Sequence, residues 1–207
     1  WLGTHAAPAF VVAGLILAMI STWLVARTWT VDDAGPADFA AIAAAIDVAQ
    51  PGDLIEIRAG SYFENLVLKC GVAVRGAGPD LVTVDGRQAG PVASITGCGE
   101  TTVLEGLRIF NGRAEYGGGV LIQGGAPIVR RNIIVGNQAL DPTGVVFGYG
   151  GGLALLDTSA LASENLIENN EADFGGGIEI GGGTPRILGN EIRGNTAALS
   201  GGGIDAN

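Results

Sequence analysis

From residue 51 onward, apolar residues come in short runs that alternate with polar ones and are broken by Gly, Pro or Asp. Leu54-Ile55-Glu56-Ile57, Leu66-Val67-Leu68, Val72-Ala73-Val74, Leu81-Val82-Thr83-Val84, Val92-Ala93-Ser94-Ile95 and the stretch from Val103-Leu104 through Ile109 all read this way. Alternation turns one face of a short strand inward and the other outward. The second half is more regular. Gly-Gly-Gly opens an apolar alternation at Gly117, Gly150, Gly175 and Gly201, in one long step followed by two shorter, nearly equal ones. A second frame, N-x-I-x-x-N, starts at Asn132, Asn165 and Asn190 and keeps step with the first three triplets. Two markers in phase indicate stacked repeats, and a repeat of this length made of short strands and turns has no room for paired helices.

One such coil cannot bury its inward residues alone, so coils must stack. The pattern predicts an all-β, right-handed parallel β-helix of about six coils. Val120, Leu153, Ile178 and Ile204 form one inward column, and Ile122, Leu155 and Ile180 the next. On the following walls Val129, Ala162 and Ile187 line up, then Ile134, Ile167 and Ile192. Like residues should sit about 4.8 Å apart along the axis. Asn137, Asn170 and Asn195 should form a structural ladder at a turn, because Asn tolerates left-handed backbone and its amide bonds the Asn above and below. The long step holds an extra stretch, 139–148, which a solenoid places in a loop on one face.

Ahead of the strands, 36–50 is Ala-rich, with Phe39, Ile42, Ile46 and Ala49 at steps of three and four. That stripe predicts an amphipathic helix, started near Asp38 and stopped by Pro51-Gly52, covering the open end of the first coil.

The opening of the strand region resembles the start of right-handed parallel β-helix proteins of the pectate-lyase-like (pectin lyase fold) superfamily. The likeness rests on Asp38-Phe39 through Ala49, on Gly52-Asp53-Leu54-Ile55-Glu56-Ile57 through Tyr62-Phe63-Glu64-Asn65, and on Val74-Arg75-Gly76-Ala77-Gly78. It is shared with pectin methylesterases and with many secreted bacterial β-helix proteins, and it covers roughly residues 29–207. The resemblance implies a fold. Pectin methylesterases carry their catalytic Asp, Gln and Arg in Gln-Asp-Thr-Leu and Asp-Phe-Ile-Phe-Gly motifs, and neither motif occurs here. No catalytic residue is therefore carried over, and fold alone does not assign an activity.

The chain has 207 residues, 36 of them Gly, and a formal charge of −10. That acidity argues against nucleic acid, which wants a basic stripe. Residues 6–26 hold no charge, so the segment 1–28 reads as a cleaved signal peptide, as an uncleaved apolar membrane helix, or as a buried helix. Either of the first two exports the β-helix domain, residues 29–207. A chain that starts at Trp1 with no basic leader, and reaches Asn207 inside a repeat, implies a longer protein. Cys70 and Cys98 are separated by close to one coil, and stacked they would come within disulfide range; two buried thiols are the alternative. The single His, His5, lies in the leader, so no His-dependent triad or Cys-His metal site is available to the domain.

Candidate chemistry falls to carboxylates and rings. Glu179 and Asp205 each follow the inward Ile of a triplet, so both should point outward, one above the other. Two carboxylates in that relation either bind calcium or are two solvated side chains; no other cofactor is evident. Tyr116, Tyr149 and Phe174 each precede a triplet and form a third column, either stacked inside a turn or offered as a platform for sugar rings. Arg130, Arg131, Arg186 and Arg193 are scattered rather than concentrated, with Arg186 and Arg193 able to pair Glu164, Glu168 or Glu191. The expectation is an exported protein, extracellular or in the cell envelope, that binds polysaccharide or a surface ligand on a lateral face. A polysaccharide lyase or hydrolase with catalytic coils outside residues 1–207, and a structural adhesin or passenger module, are the alternatives.

Overall fold

A computed structural model describes residues 25–140 and 146–207. The predicted leader helix, and with it most of the segment 1–28, lies outside the described residues, as does the middle of the insertion. Among the described residues the protein is built almost wholly of parallel strands in four sheets that form the walls of a stacked solenoid. The first wall has seven strands: Thr28–Val31, Leu54–Ile57, Ala73–Gly76, Val103–Glu105, Ile128–Arg130, Leu161–Ser163 and Arg186–Leu188. The second wall has six, from Gly60–Tyr62 to Glu191–Arg193, and the third has four, from Arg113–Ala114 to Thr196–Ser200. The fourth has six, from Leu66–Val67 to Ile204–Ala206. The chain visits first, second, third and fourth walls in turn, and climbs one rung per circuit; the two earliest circuits omit the third wall. Six circuits begin at Leu54.

The inward columns follow the repeat phase. Val120 pairs with Leu153, Leu153 with Ile178 and Ile178 with Ile204, while Ile122, Leu155 and Ile180 stack beside them. Val129, Ala162 and Ile187 align on the first wall, and Ile134, Ile167 and Ile192 on the second. Ile109, Ile122, Ile134, Leu153 and Ile167 lose all contact with solvent. Each such side chain stabilises the fold by roughly 1.5–3 kcal/mol relative to an exposed one.

Both asparagines of the N-x-I-x-x-N frame serve the corners. The Oδ1 of Asn170 accepts the backbone N–H of Asn137 at 3.0 Å and its Nδ2 at 3.0 Å, and Asn195 does the same for Asn170. The Nδ2 groups of Asn137, Asn170 and Asn195 also reach the carbonyls of Ile109, Ile134 and Ile167 in the coil before. A second ladder, Asn132, Asn165 and Asn190, repeats the scheme at the corner between the first and second walls. The left-handed backbone belongs to the residue ahead of each Asn: Gly136, Asn169 and Gly194 at one corner, Arg131, Glu164 and Gly189 at the other. That corrects the sequence expectation, which placed it on the ladder itself. The corner turns the chain at the preceding residue, and the Asn is left with ordinary backbone to aim its amide inward.

The helix spans Ile42–Val48, shorter than the expected 36–50. Phe39 is held instead in an extended bridge to Val31, and the Asp38 carboxylate accepts from the Thr30 N–H and hydroxyl. The helix start is capped from afar: the Glu64 carboxylate accepts the N–H groups of Ile42 at 2.9 Å and Ala43 at 2.8 Å. Negative charge there also suits the helix dipole. Ile42, Ala45 and Ile46 bury against Thr28–Val31, Leu54–Ile57 and Leu66–Val67. Asp53 fastens the same region, accepting from the Gln50 and Arg27 N–H groups and the Trp29 indole; these bonds, the Gln50 one foremost, outweigh burial and hold its carboxyl below the usual range. Asp38, Asp53 and Glu64, which are among the residues that carry the resemblance, thus have architectural roles.

Cys70 and Cys98 form a disulfide with Cα atoms 4.8 Å apart, joining adjacent coils. It fits an oxidising extracellular environment. Among the described residues no helix is long and apolar enough to cross a membrane.

Asn170→Ala removes an acceptor from a buried N–H and a buried amide at once. It should destabilise the protein by about 2–4 kcal/mol, lowering Tm by roughly 5–10 °C for a chain of this size. Calorimetry checks this; an unchanged Tm would show that the ladder is not needed.

Candidate functional site

Three constellations stand on the outer surface. The first is the aromatic column. Tyr116 and Tyr149 stack with centroids 5.1 Å apart and planes 9° from parallel, and Tyr149 and Phe174 follow at 5.2 Å and 10°. Phe147, returning from the insertion, meets Phe174 edge-on at 5.5 Å. All three column members are half-buried. Tyr149 has a ring against each face, so a saccharide laid on the column would meet ring edges there rather than a free face. Burial, with Glu115 and Tyr149 beside it, raises the Tyr116 hydroxyl pKa.

The second is the acidic pair. Glu179 and Asp205 are in register on the fourth wall, on the side opposite Ile178 and Ile180. Yet Glu179 is only 2% exposed. The turn at Gly175 folds over this outer column: a Cβ on Gly175 would lie 2.8 Å from the Glu179 Cα. Asn207 Nδ2 donates to Glu179 Oε1 at 3.1 Å and Asp205 Oδ2 at 3.3 Å, and Ser200 donates to Asp205 Oδ1 at 2.7 Å. Glu179 Oε2 is buried and has no hydrogen-bond partner among the described residues. Burial, reinforced by Asp205 and opposed by the Asn207 amide, pushes the Glu179 carboxyl above its usual pKa. Calcium takes six to eight oxygens. Among the described residues no three His, Cys, Asp or Glu side chains are grouped to hold a metal ion.

The third was missed in the sequence. On the outer side of the first wall, Glu56, Arg75, Glu105 and Arg130 fall in one column. Glu105 is 8% exposed and three guanidiniums converge on it. Arg130 reaches Oε2 through Nε at 3.1 Å and Nη2 at 2.9 Å, Arg131 reaches Oε1 at 3.1 Å, and Arg75 Nε lies 3.5 Å from Oε2. Burial alone would push the Glu105 carboxyl up; Arg130, Arg75 and Arg131 together bring it below the usual carboxylate range. Arg75 thus joins the sequence neighbours Arg130 and Arg131 around one carboxylate, while Arg186 and Arg193 stand outside the cluster. Glu164 pairs with Arg131 at 2.9 Å rather than with Arg186, and Arg193 pairs with both Glu168 and Glu191.

Below this cluster a cavity of about 280 Å³ opens along the axis. Thr30, Glu56, Ile57, Arg58, Arg75, Gly76 and Ala77, from three successive strands of the first wall and their ends, line it. Arg58 is held at its edge by Asp32 at 3.3 Å and the Pro36 carbonyl at 2.8 Å. No signal along the sequence announces the cavity, because its lining comes from three coils of unequal length.

No protein-family model matches this chain, and no curated protein matches it.

Glu179 generates a pH prediction. An acid whose folded pKa is raised favours the fold while neutral, and that contribution is lost as pH rises from the usual carboxylate range through the raised value. Glu179→Gln should therefore raise Tm at pH 8 by about 2–4 °C, roughly 1 kcal/mol, and leave it unchanged at pH 4. An equal shift at both pH values would show that the buried carboxylate carries no charge penalty.

Proposed function

We propose that this is an exported, right-handed parallel β-helix protein of the pectate-lyase-like superfamily, binding an extended glycan or similar polymer along the lateral face of its first wall. The handedness follows the rule for crossovers between parallel strands. The superfamily reading draws on the first-coil residues, Asp53, Tyr62 and Glu64 among them, whose bonds build the opening of the solenoid. The helix over the first coil serves as its cap, shielding apolar residues that would otherwise face water. Export is supported by the disulfide.

The observation that carries the binding reading is the cavity itself. It runs across three consecutive strands of the first wall and is lined by the polar side chains of Thr30, Glu56, Arg58 and Arg75 together with Ile57, Gly76 and Ala77. A chain of sugar units lying along the axis presents successive hydroxyls to successive rungs, about 4.8 Å apart. Clefts with a few convergent polar groups are the default place to look for a ligand.

Ala77 is exposed and lines the cavity, and its backbone N–H is bonded to the Ile57 carbonyl. Ala77→Trp fills the groove while keeping that bond. The parent protein should retain soluble polysaccharides in affinity electrophoresis, and Ala77→Trp should weaken the retention at least about tenfold with an unchanged circular-dichroism spectrum. Retention of no polysaccharide, or equal retention by both proteins, would overturn the reading.

A further inference from the structure

We propose that the outer face of the second wall is a self-association surface, on which a second copy of this chain packs face to face with the two solenoid axes antiparallel. The inference stands apart from the groove on the first wall, which this packing leaves open.

The second wall is apolar on both sides at its centre. Tyr62, Val84, Ile109, Ile134, Ile167 and Ile192 fill its inward column, so the residues flanking them point outward. One outward column reads Thr83, Arg108, Ile133, Leu166 and Glu191. The other reads Asp85, Phe110, Val135, Glu168 and Arg193. Phe110, Ile133, Val135 and Leu166 therefore form one block on the solvent side. Phe110 is 39% exposed and the other three are half-buried. An apolar block with a charged rim marks a protein contact.

The rim is close to electrical balance. Asp85, Glu168 and Glu191 stand against Arg108 and Arg193, whereas the whole chain sets 21 acidic side chains against 11 basic ones. Copies that repel one another elsewhere can approach here.

The order of the residues selects the same surface as partner. A half-turn about the strand direction, centred between the rungs of Ile133 and Leu166, inverts the rungs and keeps each column opposite itself. Each Ile133 then meets a Leu166, each Arg108 a Glu191 and each Phe110 an Arg193. Every contact occurs twice, as an isologous interface requires. Facing sheets pack about 10 Å apart, within reach of these side chains, and a guanidinium over an aromatic ring is attractive. Val135 meets Glu168, whose carboxylate is already held by Arg193 at 2.8 Å. Within one chain Arg108 pairs with the exposed Asp80 at 3.6 Å, and Glu191 uses Oε1 for Arg193 at 2.7 Å. The Arg108–Glu191 contact is thus new to the pair of copies. A half-turn about the solenoid axis gains less. It sets Glu191 against Arg193, already partners within a chain, and Leu166 against Glu168.

Five rungs about 4.8 Å apart make a face only about 20 Å high. That is smaller than the usual interface of about 800 Å² per partner, so the dimer should be weak, with a Kd on the order of 100 µM.

Sedimentation equilibrium of the full chain tests this. The protein should be largely monomeric at about 5 µM and substantially dimeric at about 500 µM. Ile133→Asp places a charge at the centre and should weaken the dimer about tenfold or more. Arg108→Glu sets an acid against Glu191 and should cost about fivefold or more. Adding Glu191→Arg to Arg108→Glu should restore association to within about twofold of the parent. Val67→Asp, on the fourth wall at a position 72% exposed, should change nothing. A protein still monomeric at the highest concentration would overturn the proposal, and so would association that Ile133→Asp leaves intact. A charge-swapped double variant no better than Arg108→Glu would overturn the antiparallel packing. Circular dichroism identifies unfolded variants. If Ile133→Asp is one of them, Phe110→Ser at the exposed ring takes its place and should cost about threefold or more.

Discussion

Among the described residues every strand-to-strand pairing along these walls joins neighbouring coils. That single constraint governs the rest of the structure. It fixes the identity of columns, because a residue displaced by one position would turn from core to solvent. It also creates a difficulty at the corners, where strands stop and N–H groups lose their ladder partners. The asparagine amides replace those partners with a side-chain oxygen at the right height. A buried N–H left without such an acceptor costs about 1–3 kcal/mol, so the corners are as demanding of sequence as the apolar interior.

The inward columns were legible because the Gly-Gly-Gly and Asn markers keep phase across the insertion, so Ile134, Ile167 and Ile192 could be aligned without a structure. The disulfide was legible for the same reason: its two cysteines stand about one circuit apart. What failed was what individual side-chain partners and turns decide, whether near or far along the chain. The helix was expected to start near Asp38, but Thr30 claims that carboxylate and Glu64 caps a helix that begins at Ile42. Asn132, Asn165 and Asn190 were visible as a motif, yet their ladder depends on corner geometry that the motif does not state. Glu179 follows the outward phase and is still covered, because a turn of the same coil folds across it.

The charged column on the first wall shows the same limit most clearly. Arg75, Glu105 and Arg130 are unequally spaced along the chain, in coils too irregular to align by repeat. Only the register shows that they are neighbours. The aromatic column, by contrast, was apparent in the sequence and turns its rings upon one another. Regularity in the sequence marks what repeats to hold the solenoid together. The departures from regularity mark the surface where this protein differs from a plain stack.

The covalent bridge at Cys70–Cys98, the helix anchored by Glu64 and the clamp at Asp53 all lie in the earliest coils. Reinforcement is therefore graded along the axis, strong at one pole and dependent on nearest neighbours beyond it. In a quasi-one-dimensional assembly such a gradient gives folding a direction. Opening costs most in the stapled coils, so the strands stacked directly on them are held longest. The groove, bordering that pole, keeps its shape while more distant coils breathe.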